Sequence, residues 1–320
     1  MSESKSRLYI FDFIRALAVL FVIFGHYLVH HHHYEEHNEI WIKIHGVGVG
    51  MFFFISGYLI FMTMQKSNMK IFLGHRFFRI APALAAAMAF FALFNRFFSG
   101  KCFLLGILFL GDFFGKFGVY GIDTWTLHTE TRFYLLASLI YFLLINKRVC
   151  KASLLTSYLL ASLIIFGSVL FLNIHFPGIS FASPKWNIFC IFYLLFGVIF
   201  YFYEIGDICF HEFLISSVVN ILIIFFIKIG FFGFALSNVW KDNYLSAVIF
   251  CLGLIAIKDK IPYSKIIVFI AFISYPLYLV HHDMIIKWGL LGIPIMIAVA
   301  YIITVLIEQP MMKWSKRILR

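Results

Sequence analysis

At 320 residues the chain is 62% hydrophobic and 20% aromatic, with only 13% charged residues and a mean hydropathy of +0.95, a balance that excludes a soluble globular domain. Continuous apolar runs of about twenty residues recur where a membrane β-barrel would show alternating blocks of about ten, so the expected class is all-α, a polytopic transmembrane helical bundle. The formal charge of +11 sits in short basic clusters between apolar runs, a pattern of membrane orientation and not of nucleic-acid binding.

Taken in order, about ten spans are predicted, at 8–30, 44–64, 80–98, 125–145, 153–172, 186–203, 211–229, 244–257, 264–283 and 288–309. With the amino terminus cytoplasmic, sixteen of the 26 Lys and Arg fall on the inner side, among them the clusters at 147–151 and 258–265, and eight fall outside. This bias places both termini inside. The apolar segment 102–118 is too short and glycine-rich for a span and is expected to be re-entrant or interfacial. No cleavable signal peptide and no soluble second domain are expected, so 1–320 reads as a single membrane domain. Of the five cysteines only Cys102 falls outside, which leaves no extracytoplasmic pair and no Cys-x-x-Cys spacing.

The first span carries Asp12, Arg15 and His26, and ionisable groups inside a span are costly enough to be functional candidates. Arg15 and His26 are eleven residues apart, which on a helix puts them on nearly one face and roughly 16 Å apart along the axis. Arg15 can also pair with Asp12 one turn away. Span two has glycines at 46, 48 and 50 and Ser56-Gly57 at its middle, small residues that let helices approach closely. A basic inner loop then ends in Arg76 and Arg79, one turn apart, with Pro82 able to open the helix that follows. Two guanidiniums at this spacing can grip a phosphate, although they also fit a simple positive-inside rule.

Span four opens with Trp125, His128, Glu130 and Arg132 in its first turns, a polar content that packing does not explain. Glu130 and His26 both lie near outer span ends, where a carboxylate can orient an imidazole as base. Span nine ends with Tyr275, Tyr278, His281 and His282, expected at the same outer depth. Asp12, Arg15, Arg76 and Arg79 gather at the inner face.

These residues carry a resemblance. Arg15-x10-His26, FFFISG at 52–57, Arg76-x-x-Arg79, WTLHTE at 125–130, SYPLYLVH at 274–281 and Glu308-Gln309-Pro310 together resemble, in order over nearly the whole chain, the acyltransferase-3 family of integral membrane O-acyltransferases. His128 and Thr126 depart from the family's Trp-Ser-Leu pattern, and Pro276 stands where a smaller polar residue is common. The resemblance implies transfer of an acyl group, above all acetyl, from a cytoplasmic coenzyme A thioester to a hydroxyl of a cell-surface or lipid-linked carbohydrate. The bacterial inner membrane is the implied location. On this reading His26 and Glu130 are catalytic, and Arg15, Arg76 and Arg79 bind the donor. Asp12, Ser56, Trp125, His128, Tyr275, Tyr278 and His281 form the acceptor or structural site. No bound cofactor and no metal are expected, with acyl-CoA as co-substrate and acyl-CoA, glycan and membrane lipid as partners.

One rival class rests on the histidines. Six of the thirteen lie between His26 and His37, and His26 with His30 form an i, i+4 pair able to bind a transition metal, which suggests a metal or proton transporter. Such a carrier calls for carboxylates or histidines spread through several span centres, and it leaves the inner arginines without a role. A non-catalytic glycan-export or lipid-binding protein shares the composition. Transfer from labelled acetyl-CoA in membranes, set against metal accumulation, separates these classes.

The predicted topology makes a direct statement about labelling. In a cysteine-free background, a cysteine at Lys185 should react with an impermeant thiol reagent added outside intact cells, and one at Lys260 should not. The reverse pattern would show that 102–118 crosses the bilayer.

Overall fold

The computed structural model describes residues 3–31, 39–95, 99–110, 125–141, 182–228 and 238–319, and every regular element among them is helical. In chain order these are α1 (Glu3–His31), α2 (Glu39–Met64), α3 (Met69–Phe94), the short α4 (Gly100–Ile107), α5 (Trp125–Ile140) and α6 (Ala182–Glu204). There follow α7 (Phe210–Lys228), α8 (Asn238–Ala256), α9 (Lys265–Trp288), α10 (Gly292–Ile303) and α11 (Gln309–Ile318). The expected all-α class is met. A lipid-exposed segment must satisfy its backbone polar groups internally, which a continuous helix does.

Four stretches among the described residues are long and apolar enough to cross a membrane: Tyr9–His30, Ile44–Met64, Met69–Phe94 and Lys265–Ile318. The last, 54 residues long, would measure about 80 Å if straight, against about 30 Å of hydrocarbon. It breaks at Gly289, which adopts φ +56°, a conformation that costs glycine least, and α9 then packs along α10.

Each expected span overlaps a helix except 153–172, which lies outside the described residues. The third starts earlier than expected. Asn68 accepts the Ile71 N–H at 2.9 Å and so caps α3, which begins at Met69 and runs on through Pro82. Arg76 and Arg79 are therefore inside a helix and not in a loop before one, and Pro82 removes one backbone donor without opening it. In the segment 102–118, residues up to Ile107 belong to α4, at about 12 Å far short of a span, and Phe109 at φ +56° follows its end. Residues 111–118 lie outside the described residues.

The chain divides into two compact units. The first comprises Met1–Phe52, Gly74–Thr124 and Asp242–Arg320. Here Ile14, Ala18 and Val22 of α1, four residues apart, are essentially fully buried, while Leu20 and Phe24 on other faces are exposed, as lipid-facing side chains would be. Lipid is as apolar as leucine, so helix contact in a bilayer depends on close packing of small residues. Gly48 of α2 meets that stripe so closely that a Cβ on it would lie 2.5 Å from the Ala18 carbonyl oxygen. The start of α1 is fixed by Tyr9, whose hydroxyl donates to the Pro262 carbonyl and accepts the Ser264 N–H, both at 2.9 Å, just ahead of α9.

The second unit comprises Phe53–Leu73 and Trp125–Lys241. Its core contains the fully buried Phe54, Tyr58, Phe192 and Tyr193, and α2 crosses α6 through two facing glycines. A Cβ on Gly57 would lie 1.9 Å from the Leu194 oxygen, and one on Gly197 would lie 1.9 Å from the Phe54 oxygen. Tyr58 donates to Glu204, and Tyr201 donates to Gln65 at 2.6 Å, so two hydroxyls at this interface have acceptors. The close helix contact expected of the small residues in span two is thus present at Gly48 in one unit and Gly57 in the other.

Because neither backbone at that crossing can move without its neighbour, Gly57→Ala and Gly197→Ala should each destabilise the folded protein by about 1–3 kcal/mol in micelle unfolding titrations. Gly253→Ala, where an added Cβ meets nothing within 4 Å, should be neutral or gain up to about 1 kcal/mol from helix propensity. Equal effects at the three positions would refute the crossing as the origin.

Candidate functional site

In the first unit, two groups of ionisable side chains stand near Arg15 and near His26 of α1. Around Arg15, α1 supplies an i, i+3 pair in which Arg15 Nη1 donates to Asp12 Oδ1 at 3.3 Å, both side chains being partly exposed. Such a pair in contact with solvent is worth a few tenths of a kcal/mol. On α3, Arg79 Nε lies 3.8 Å from Glu308 Oε1. Glu308 is buried, so the donor-site candidate Arg79 faces a buried carboxylate. Arg76 is half-buried on the same helix, and its neighbour His75 meets Ser315 of α11 at 3.0 Å through Nδ1.

The backbone explains how Glu308 arrives there. Thr304–Glu308 is a π-helical turn between α10 and α11, closed by the Gln309 N–H on the Thr304 carbonyl. Pro310 has no N–H to give, and its ring crowds the carbonyl four residues back, which favours a widened turn at this point. Glu308 Oε2 is buried with no hydrogen-bond partner among the described residues. A carboxylate held by charge more than by hydrogen bonds is where an incoming ligand can change the balance of the surrounding guanidiniums.

Eleven residues beyond Arg15, His26 occupies the centre of a group of imidazoles. Its ring centroid lies 4.9 Å from His45 of α2, 5.1 Å from His281 and 5.0 Å from His282 of α9, and 6.2 Å from His30 one turn along α1. His45 comes this close because Gly25 has no side chain, a Cβ there being 2.7 Å from both the nitrogen and the Cβ of His45. His281 is fully buried and donates through Nδ1 to the Tyr278 carbonyl, which makes Nε2 the nitrogen that holds the lone pair. Tyr278 itself packs on His281, with centroids 5.2 Å apart, and edge-on against Phe52. An open cavity of about 560 Å³ lies beside this level, lined by Tyr27, Lys287, Trp288, Gly289, Leu290 and Leu291.

Tyr275 does not join this group. Its hydroxyl donates to the Ile80 carbonyl at 2.9 Å, one residue from Arg79, so the expectation that Tyr275 shares the depth of Tyr278 and His281 is corrected. The physical reason is helical rise. Six residues of helix set Tyr275 about 9 Å from His281 along the axis, and its ring extends further toward the start of α9, on the side of the arginine level.

The remaining candidates belong to the second unit. Trp125 opens α5 and meets Phe53 edge-on at 6.2 Å, His128 is buried on the same helix, and Ser56 lies half-buried on α2. Glu130 accepts a short hydrogen bond from the Tyr134 hydroxyl one turn on.

Sequence reasoning listed His45 and Glu308 in no functional role. For His45 the available signal was the Gly25 next to His26, since a glycine one residue from a polar group in a span marks a backbone that another helix approaches. For Glu308 the signal was the acidic residue two positions before Pro310 in an otherwise apolar run.

The acyltransferase-domain model of the acyltransferase-3 family matches residues 8–312, nearly the whole chain. No curated protein and no solved structure matches it. With its apolar helices and its motifs present in order, the chain belongs to the acyltransferase-3 family and is a membrane acyltransferase.

Proposed function

We propose that this chain transfers an acyl group, above all acetyl, from cytoplasmic acyl-CoA to a hydroxyl of a cell-surface or lipid-linked carbohydrate, as an enzyme of about ten spans in a bacterial inner membrane with both termini cytoplasmic. The observation that supports it most is the placing of an arginine level and a histidine level on one helix, α1, about 16 Å apart along its axis. Acyl-CoA has the matching shape, an anionic phosphorylated head joined by a long arm to a thioester.

The head would dock on Arg15, Arg76 and Arg79, where charge-assisted bonds to phosphate would compete with the Asp12 and Glu308 contacts. The pantetheine arm would run along α1 toward His26. There the imidazole removes the proton from the acceptor hydroxyl as its oxygen attacks the thioester carbonyl. The C–S bond then breaks, the coenzyme A thiolate leaves, and the imidazolium returns the proton to sulfur. An alternative order forms an acyl-imidazole first and passes the acyl group on from it. In this reading Glu130 orients His26, an assignment that rests on the family's motif and on span ends read from sequence. The cavity bounded by Tyr27 and Trp288 suits a sugar, since aromatic faces with polar edges hold amphipathic rings.

His26→Ala should abolish transfer from labelled acetyl-CoA in membranes while the protein remains at its normal level, because one imidazole contributes little to packing. Glu130→Gln should keep partial activity with a loss of about 10²-fold, since it retains a hydrogen bond and removes a charge. Arg76→Ala, alone and with Arg79→Ala, should raise the acyl-CoA concentration for half-maximal rate, and an unchanged requirement would remove them from the donor site. Replacing His31, His32 and His33 together with Ala should leave transfer intact. Activity lost in that triple variant but kept in His26→Ala would overturn the assignment.

A further inference from the structure

Three imidazoles at the histidine level come together more closely than a catalytic base requires. The ligand nitrogens of His26, His30 and His282 all lie within 4.8 Å of one another. Two are successive turns of α1, His26 and His30, and the third comes from α9, which packs against α1. Ring centroids are 5.0 Å apart for His26 and His282, and 5.8 Å for His30 and His282, with both pairs edge-on. A tetrahedral zinc ion with Zn–N bonds of about 2.0–2.1 Å needs its nitrogens roughly 3.4 Å apart, so closure by no more than about 1.4 Å suffices. His30 is exposed and so has the rotamer freedom to make that adjustment.

We propose that His26, His30 and His282 form a site for a divalent transition metal of the zinc class, open to the side on which His30 is exposed, and that its occupation switches transfer off. An i, i+4 histidine pair on a helix with a third histidine from a packed neighbour gives three neutral nitrogen ligands and leaves one coordination position free. The set contains imidazole only, which selects zinc, copper or nickel over magnesium or calcium. The nearest carboxylate in sequence, Asp283, is engaged by Lys287 Nζ at 2.8 Å, which keeps an anion from replacing a histidine in the set. The consequence for activity rests on the proposed role of His26. A metal on its ring nitrogen takes the lone pair with which His26 would accept the hydroxyl proton, so the filled enzyme has no base. The same arrangement accounts for the metal-binding appearance of the sequence without requiring transport.

The test uses full-length protein, purified in detergent and stripped with chelator, with His31, His32, His33 and His37 replaced by Ala so that the adjacent run cannot bind the probe. Equilibrium dialysis against radioactive zinc chloride should show one tight zinc per chain. His282→Ala and His30→Ala should each weaken it by about 10-fold or more. Zinc should inhibit acetyl-CoA turnover, excess chelator should restore it, and His282→Ala should need about 10-fold more zinc for the same fractional inhibition. Should His282→Ala fail to fold, His30→Gln at the exposed ligand decides the same question. Binding that neither substitution weakens, no binding above that of a variant lacking all three histidines, or bound zinc without inhibition would each overturn the proposal. If the unmetallated protein shows no transfer at all, the functional reading fails, and the dialysis alone decides whether the metal site stands.

Discussion

The constraint on which this structure depends is the cost of holding ionisable groups among apolar side chains. Each such group must find a partner, reach water or become neutral. Asp12 and Arg15 pair on α1, Glu308 sits with Arg79, Lys287 binds Asp283 and also the Asn95 side chain at 2.6 Å, and Tyr58 binds Glu204. His26 and the four histidines around it solve the problem differently. An imidazole needs no counter-ion when neutral, so several can be gathered where several lysines or carboxylates could not. Their mutual contacts bring several lone pairs to one place, which on the proposed reading would serve a proton or a metal.

Gathering them requires backbones to come close, and that is the role of the glycines. Gly25 admits His45 beside α1, and Gly48 seats α2 against Ala18, so one helix pair fixes both the separation of α1 and α2 and the approach of a histidine. The second unit uses the same device at Gly57 and Gly197, where the crossing holds the wall of aromatic residues on α6 against α2. Within a bilayer such contacts carry more of the specificity than hydrophobic burial does, because lipid competes for every apolar face on equal terms.

This also explains what could be read from the chain directly. Helices, their approximate places and the family were legible because apolar length and motif order are local properties of the sequence. The shared face of Arg15 and His26 was legible from periodicity alone. The start of α3 is not legible from the sequence because a basic stretch reads as a loop, whereas Asn68 caps a helix that carries Arg76 and Arg79 within it. Proximity in sequence groups Tyr275 with His281, but six residues of helical rise, about 9 Å, take it to Ile80 instead. His45 and Glu308 depend on which helix approaches Gly25 and on a turn widened ahead of Pro310, neither of which a single sequence states.

A single rigid helix joining the two levels has a mechanical consequence. The rise between Arg15 and His26 cannot stretch, so on the proposed reading a donor docked at one level would have a fixed reach to the other, and a molecule with a shorter arm would bind its phosphates without presenting a thioester. Specificity for the carrier would then lie in length as much as in charge. The arginine level alone would tolerate many nucleotides, and the histidine level alone would accept many hydroxyls or a metal ion. On the proposed reading only a ligand that spans both along α1 would be committed to transfer, which would let a site built from common side chains be selective without a close-fitting pocket for the donor.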